Sequence, residues 1–257
     1  ISSRNQLLSF LQLTKTSMLS MIVEEKLNDM NLQKQLESIE MIVQEILHRV
    51  NQEALGKIEN LAMDYEPNSL WEMIQKTVIV RDDGKQLSQS SNYELLCDVI
   101  DIIGEKQRIM PNMQIIVFEN VDHLISQDEY RKLLDRCENL TCRFNLWCVF
   151  CTSLVGYIQV NKKLWNGIAL FGQEMIRLPE EEHLIRYLED NWPYNRVIDE
   201  TELFQMLQNV AQELGNKNNL REISEIVLMK LFNVENMIDF HTIKKPNNAE
   251  IMYLFNG

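Results

Sequence analysis

The sequence predicts an α/β protein with a mainly parallel sheet, to which a long helix and a C-terminal helical extension are added. Two continuously apolar segments of strand length alternate with segments that begin as helices do, which is typical of parallel sheets covered by helices. Regularly spaced apolar residues between about positions 31 and 63 predict one unusually long helix. Only 8 glycines and 5 prolines occur among 257 residues, which argues against a disordered or hairpin-rich chain.

Helices dominate the predicted N-terminal part of the chain. Residues 4–24 form a helix with one apolar side, and residues 31–63 form the long helix, in which apolar residues recur at steps of three and four. A helix of roughly 30 residues is about 45 Å long, so another helix or another subunit must cover its apolar stripe. Gly56 marks the place where this helix can kink or break.

Later helix starts are marked by a serine and a glutamate three residues apart. Three such pairs are capping boxes, in which the two side chains satisfy each other's free backbone amides. They are Ser69–Glu72, Ser91–Glu94 and Ser126–Glu129, and they predict helices near residues 69–76, 91–107 and 127–139. Pro179, followed by three glutamates, predicts a further helix start.

Strands are predicted between these helices. The apolar runs Gln114–Glu119 and Leu146–Cys151 have the composition of strands that are buried on both faces. Thr77–Val80 is a short β-branched segment, and Ile168–Phe171 with Met175–Leu178 predicts a strand pair. From about residue 195 the pattern is helical again, with a helix at residues 203–214 that ends before Gly215.

These elements divide the chain into three predicted parts. Residues 1–25 and 75–194 form an α/β head, residues 26–74 form a long-helix leg inserted in it, and residues 195–257 form a C-terminal helical extension. No apolar run is long enough to cross a bilayer, so we expect no membrane partner. The five cysteines cannot all pair and no signal peptide is recognisable, which predicts a reducing, cytoplasmic compartment. The chain begins with Ile1 rather than Met, so we expect further residues before it.

The balance of charge restricts the choice of partners. The chain carries 25 basic and 38 acidic side chains, a net charge of −13, which opposes indiscriminate attraction to a polyanion. Acidic residues are absent from Thr141 to Gln173, where the only basic ones are Arg143, Lys162 and Lys163. Two interpretations remain open: a buried strand that excludes charge, or a window through which a phosphate backbone approaches.

One motif suggests nucleotide chemistry, but its usual companion is missing from the sequence. The strand ending at Glu119 resembles a Walker B element, whose acid holds Mg²⁺ or orients water. No G-x-x-x-x-G-K-[ST] motif is present, and the nearest match, Gly167–Gly172, lacks the Lys and Ser/Thr that would bind phosphates and magnesium. We therefore expect no enzymatic activity, no catalytic residues and no cofactor. The alternative is an NTPase whose phosphate loop lies upstream of Ile1.

Seven basic residues are candidates for binding DNA. Two lie at the end of the helix predicted at 91–107, three on the helix predicted at 127–139, and two in the loop before Trp165. Each alone is typical of a solvated surface, so only an oligomer that turns several copies toward one cavity would form a DNA-binding surface. The candidates are Lys106, Arg108, Arg131, Lys132, Arg136, Lys162 and Lys163.

The order of these elements resembles that of a known family. Over about residues 1–192, the pattern is similar to the spacer-acquisition accessory proteins of type II-A CRISPR loci. In that family, an apolar strand, a polar turn and a Ser- or Thr-capped short helix precede a second apolar strand. The matching segments are the long helix, the capped helix 69–76, the strand 78–80, the helix 94–103, the stretch from Ile115 through the Ser126 cap with Glu129, and the strand Leu146–Cys151.

This resemblance implies a fold and a function. It implies a P-loop-NTPase-like head that has lost nucleotide hydrolysis, with the long-helix leg inserted in it. It also implies a homotetrameric ring whose positive inner surface encloses double-stranded DNA and loads from free ends. Such a ring works in spacer acquisition, an adaptive antiviral defence, together with the CRISPR adaptation integrase and the type II effector nuclease.

The resemblance also bears on calcium and on the C-terminal residues. Short members of the family use calcium to set their legs, and their acid-rich segment corresponds here to Asp64 and Glu66. The residues after Asn195 have no counterpart in short members, so the resemblance is to a long-form member. A third functional alternative, besides the DNA-binding ring and the NTPase, is a helical scaffold that binds only other proteins.

Overall fold

The computed structural model describes most of the chain. The described residues are 1–14, 16–55, 70–154, 156–171, 175–193, 197–211 and 223–236. They belong to two compact units, Ile1–Cys151 and Thr152–Gly257. Within the described ranges, no helix combines the length and the apolar character that are needed to cross a bilayer.

The first unit contains six α-helices and two strands among its described residues. The helices α1 and α2 precede the longest helix α3, which continues into one π-helical turn at Asn51–Leu55. The elements are α1 Arg4–Phe10, α2 Met18–Leu27, α3 Met30–Val50, α4 Leu70–Gln75, α5 Asn92–Ile109, β1 Gln114–Glu119, α6 Gln127–Thr141 and β2 Leu146–Cys151.

The second unit contains a small strand pair and three helices among its described residues. The strands β3 and β4 pair antiparallel, with Leu170 opposite Ile176, as their apolar composition predicts. The elements are β3 Ala169–Phe171, β4 Met175–Arg177, α7 Glu181–Asn191, α8 Glu200–Val210 and α9 Ile223–Glu235.

Two of the predicted capping boxes are confirmed. The Ser91 side chain accepts from the amide of Glu94, whose carboxylate accepts from the Ser91 amide, and α5 begins at the next residue. Ser126 and Glu129 make the same reciprocal pair at the start of α6. The third box begins at Ser69, which lies outside the described residues.

The helix predicted at residues 4–24 is wrong, because two helices occupy this segment. Helix α1 ends at Phe10, and the side chain of Ser17 accepts from the amide of Ser20 to begin α2. Serine and threonine side chains compete with the helix for backbone hydrogen bonds, and Thr14, Thr16 and Ser17 cluster at the break. The long helix is present as α3 up to Val50, whereas Gly56 and residues 57–63 lie outside the described residues.

The parallel sheet is formed by β1 and β2, paired in register from Gln114 opposite Leu146 to Glu119 opposite Cys151. The predicted strands therefore have the observed bounds, and the mixed α/β class is confirmed. Thr77–Val80 forms no strand: Val80 makes only an isolated antiparallel bridge with Gln86.

Among the described residues, one face of this sheet is covered and the other is exposed. Leu133 on α6 and Phe118 on β1 are fully buried in the layer between helices and sheet. On the opposite face, Ile115 and Trp147 are 58% and 63% exposed. The prediction that both strands are buried on both faces is wrong, because successive side chains alternate between faces and the second face of this pair is open.

The backbone of Ile1 also joins β1. Its terminal nitrogen donates to the carbonyl of Val117, and its carbonyl accepts from the amide of Glu119 at 2.8 Å. Ile1 thus donates to the residue before Phe118 and accepts from the residue after it. This is the hydrogen-bond pattern of two parallel strands. Two residues later, Ser3 caps α1 by accepting from the amide of Gln6.

The second unit has a core of its own. Trp165, which precedes β3, is buried together with Leu184 of α7, Leu203 of α8 and Phe232 of α9. Residues on both sides of position 195 share this core, and the boundary between compact units falls after Cys151. The division into head, leg and extension at residues 26, 75 and 195 stays a prediction.

Candidate nucleic-acid interface

The seven candidate DNA-binding residues are divided between the two units. In the first unit, Lys106 and Arg108 lie in the last turn of α5, and three candidates lie on α6. In the second unit, Lys162 and Lys163 are exposed in the loop before the short turn at Trp165. The three on α6 are Arg131, Lys132 and Arg136.

Arg136 is held by an acidic residue of the neighbouring helix. Its Nη2 donates to both carboxylate oxygens of Asp101 on α5, at 2.6 and 2.5 Å. This hydrogen bond raises the pKa of the guanidinium. Because the side chains of Arg136 and Asp101 are 42% and 61% exposed, water screens the pair, and such pairs contribute only about 0–1 kcal/mol to stability. The pair therefore fixes the position of the Arg136 side chain. The negative charge of Asp101 also cancels the positive charge that a distant group would sense from Arg136.

Two further arginines are paired within their own helices. Arg131 Nη1 lies 3.3 Å from Asp128 Oδ1 on α6, and Arg108 pairs with Glu105 on α5. Lys132, between Arg131 and the buried Leu133, is exposed. The net positive charge on this side of α6 is therefore smaller than a count of its basic residues suggests.

Lys162, in the second unit, pairs with acidic residues of two helices. Its Nζ lies 3.3 Å from Glu200 Oε1 and 3.9 Å from Glu181 Oε1. The hydrogen bond to Glu200 and the charge of Glu181 raise the pKa of the Lys162 ammonium. Lys162 thus neutralises two carboxylates at the starts of α7 and α8, where acids also face the positive helix ends.

The candidate calcium ligands, Asp64 and Glu66, lie outside the described residues. Within the ranges that the structure describes, no three His, Cys, Asp or Glu side chains lie close enough together to hold a metal ion.

A cleft that the sequence did not predict lies at the end of the sheet where β1 and β2 begin. Its volume is about 450 Å³, and it combines a predicted candidate, Arg108, with Arg143, which was not a candidate. The absence of acids from Thr141 to Gln173 was the signal that could have singled out Arg143. The lining residues are Gln107, Arg108, Pro111, Asn112, Arg143, Phe144 and Asn145.

At the other end of the sheet, β1 is followed by a strained turn. Glu119 is exposed at the end of the strand, Asn120 has a left-handed backbone with φ of 54°, and Asp122 is buried. Ile1 pairs beside this strand, and Ser2 and Ser3 alone connect it to α1. A phosphate-binding loop in this place would need glycines and a lysine to cradle phosphates.

Comparison with known proteins defines the class of fold first. No family model matches the chain, and no curated protein sequence matches it. Among solved structures, the chain shares a mixed α/β fold with one over its whole length, with a TM-score of 0.79.

That structure is the crystal structure of Stu0660 of Streptococcus thermophilus. The two chains are 16% identical, and the match covers 100% of this chain and 77% of Stu0660. At this level of identity the similarity shows the fold.

Proposed function

We propose that this chain acts in CRISPR spacer acquisition as a non-enzymatic protein that binds double-stranded DNA at its ends without reading base sequence. The observation that carries the proposal is the whole-chain structural similarity to Stu0660 of Streptococcus thermophilus, beside the sequence resemblance to the accessory proteins of type II-A CRISPR loci. The order of helices and strands supports membership of the same accessory family, as a long-form member. The structural match covers 100% of this chain, whereas the sequence resemblance covers about residues 1–192.

A homotetrameric ring is part of this proposal, because one chain offers too few uncompensated cations. With a net charge of −13, a monomer repels a polyanion at long range. Helix α3 supplies a surface on which copies can assemble: Ile39, Ile42 and Ile46 are 43%, 58% and 55% exposed. Their spacing of three and four residues places them on one side of the helix, where a helix of another subunit would cover them.

The proposal includes a P-loop-NTPase-like head without hydrolysis. Ile1 lies parallel beside the strand that ends in Glu119, and α1 follows directly, which is the strand–turn–helix order of that fold. The turn contains Ser2 and Ser3 in place of a glycine-rich loop with lysine. Glu119 is then the last residue of a structural strand.

The remaining parts of the proposal concern location and partners. The ring acts in the cytoplasm, and its protein partners are the CRISPR adaptation integrase and the type II effector nuclease. Calcium, if bound, is held through Asp64 and Glu66, whose carboxylates suit a hard cation.

The experiment that tests the proposal compares linear and covalently closed circular duplexes of one sequence in a mobility-shift assay. A ring that loads from ends shifts the linear duplex and leaves the circle unbound. Equal binding to both forms would contradict a threaded ring. Mass measurement in solution, made on the same sample, should give four copies of the chain.

A matched pair of variants separates specific contacts from general charge. Lys132→Glu, on the exposed side of α6, should weaken binding of the linear duplex several-fold. Lys85→Glu makes the same change of charge at a lysine that already pairs with Asp83 in a turn, at 2.7 Å, and it should change binding less. Equal effects would show that only net charge matters.

One observation favours a second candidate, the scaffold that binds only proteins. Arg108, Arg131, Arg136 and Lys162 all have acidic partners in the chain, while the apolar side of α3 is exposed. A chain that binds no duplex even at low salt supports this scaffold. The NTPase alternative requires nucleotide turnover that Glu119→Gln abolishes.

A further inference from the structure

The cleft at the start of the sheet has a rigid floor. Gln107, which is 2% exposed, donates from Nε2 to Asn112 Oδ1 at 2.8 Å and to Gln114 Oε1 at 3.1 Å. Its Oε1 accepts from the amide of Asn112 at 3.2 Å. The amide of Gln114 donates to the carbonyl of Asn145 at 3.2 Å. These bonds fix the loops on both sides of the cleft before any ligand arrives, which lowers the entropy that binding costs.

The loop that carries Arg143 is equally constrained. The amides of Arg143 and Phe144 both donate to the carbonyl of Leu140, each at 3.1 Å, and the amide of Cys142 donates to Glu138. Two of the last four carbonyls of α6, those of Glu138 and Leu140, therefore already have backbone partners. The Arg143 side chain is exposed at the rim of the cleft.

The cations of this cleft differ in how far they are compensated. Helices α5 and α6 both end here, and each helix end carries roughly half a negative charge. Arg108 is already paired with Glu105, so the Arg143 guanidinium is the charge that offsets the two helix ends. In the part of the chain that the structure describes, no carboxylate lies within ion-pair distance of Arg143. Arg143 thus differs from the paired arginines of the α6 surface.

We infer that this cleft binds a phosphate group of the duplex DNA backbone, with Arg143 as its principal contact and Arg108 as its second cation. Planar guanidinium groups form paired hydrogen bonds with phosphate oxygens, and the side-chain NH₂ groups of Asn112 and Asn145, which line the cleft, are additional donors. The apolar walls at Pro111 and Phe144 suit a deoxyribose. The site reads no bases, as an interaction with the backbone requires. This inference rests on the proposed function and names a group that carries it.

The first test measures affinity for a labelled linear duplex over a series of salt concentrations. Arg143→Gln should weaken binding by at least about fivefold, the effect of one hydrogen bond of about 1 kcal/mol. It should also lower the slope of log affinity against log salt by about one for each subunit whose Arg143 contacts the duplex, because each such contact neutralises one phosphate. Arg186→Gln, at an exposed arginine on α7, is the matched control and should leave both quantities unchanged.

The second test uses a cysteine that adjoins the site. Cys142 is exposed beside Arg143, and Cys151 is exposed at the opposite end of β2. Bound duplex should slow alkylation of Cys142, read by peptide mass spectrometry, more than that of Cys151. This readout requires no substitution, so it is independent of folding defects in a variant.

The outcomes separate the two proposals. If the wild-type chain binds duplex while Arg143→Gln retains its affinity and salt slope and Cys142 stays unprotected, the phosphate cleft is refuted and the DNA-binding function stands. If the wild-type chain binds no duplex, the proposed function fails, and the inference fails with it.

Discussion

Replacing Phe118 and Phe150 by leucine, singly and together, tests what couples β1 and β2 to α6. The two rings stack with centroids 4.5 Å apart and planes inclined by 6°. Phe150 also meets Tyr130 of α6 edge to face, at 5.7 Å and 89°. These three side chains therefore form a continuous aromatic path from the strand that ends at Glu119 to the helix that carries the candidate cations.

The magnitude follows from the burial of the rings. Phe118 is fully buried, so Phe118→Leu loses close packing worth up to about 1.5 kcal/mol and a ring pair worth about 0.5–1.5 kcal/mol. We expect a loss of about 2 kcal/mol in the free energy of opening the first unit. Phe150 is only half-buried, and its replacement should cost less. In the double variant the ring pair is lost once, so the coupling energy should be about 0.5–1.5 kcal/mol.

The assay is native-state hydrogen exchange of β1 peptides, read by mass spectrometry. Local exchange is preferable to a melting curve, because two units need not unfold in one transition. Phe204→Leu is the control: it removes the ring that lies 5.6 Å from Trp165 in the second unit, and it should leave exchange in β1 unchanged. A coupling energy below about 0.3 kcal/mol, the scatter of independent sites, would refute the aromatic path.

Three further predictions concern stability. Ser126→Ala removes the capping box of α6 and should lower the free energy of unfolding by about 1 kcal/mol; an unchanged denaturation midpoint would contradict the cap. A Cβ on Gly104 would lie 3.1 Å from Leu140 Cδ1, so Gly104→Val should cost about 1–3 kcal/mol by overpacking in the same measurement. Burial raises the pKa of Asp98, despite the Arg81 guanidinium at 2.5 Å. The folded chain then binds this proton more readily than the unfolded one, so the contribution of Asp98 to stability falls as pH rises from about 4 through the raised pKa. Urea titrations at several pH values over this range should show that the free energy of unfolding of Asp98→Asn depends less on pH than that of the wild type. Identical pH profiles would contradict a raised pKa of Asp98.

The strands and capped helices could be predicted because their signals are local. Gln114–Glu119 is a continuous apolar run with polar residues on either side, and Ser126 with Glu129 specifies a helix start within four residues. The break between α1 and α2 was missed because the apolar spacing continues across it, while the serine cap at Ser17 decides the boundary.

The site was harder to predict because its charges act through tertiary contacts. Asp101 and Arg136 are 35 residues apart in sequence, and nothing in either helix alone shows that they pair. Arg143 lines a cleft only because the fold brings the loop at Asn112 beside it. Composition drew attention to the acid-free stretch after Thr141, but it could not distinguish its three cations from one another.

The open face of the parallel sheet carries an exposed tryptophan, whose fluorescence reports on contacts made by that face. Trp147 is 63% exposed on that face, whereas Trp165 and Trp192 are 2% and 7% exposed in the second unit. Acrylamide should therefore quench the emission of Trp147 before that of Trp165 and Trp192, while the half-buried Trp71 of α4 should be quenched to an intermediate extent. A protein surface that binds to this face will shift the emission of Trp147 to shorter wavelength and protect it from acrylamide. Assembly through this face can therefore be followed without a label.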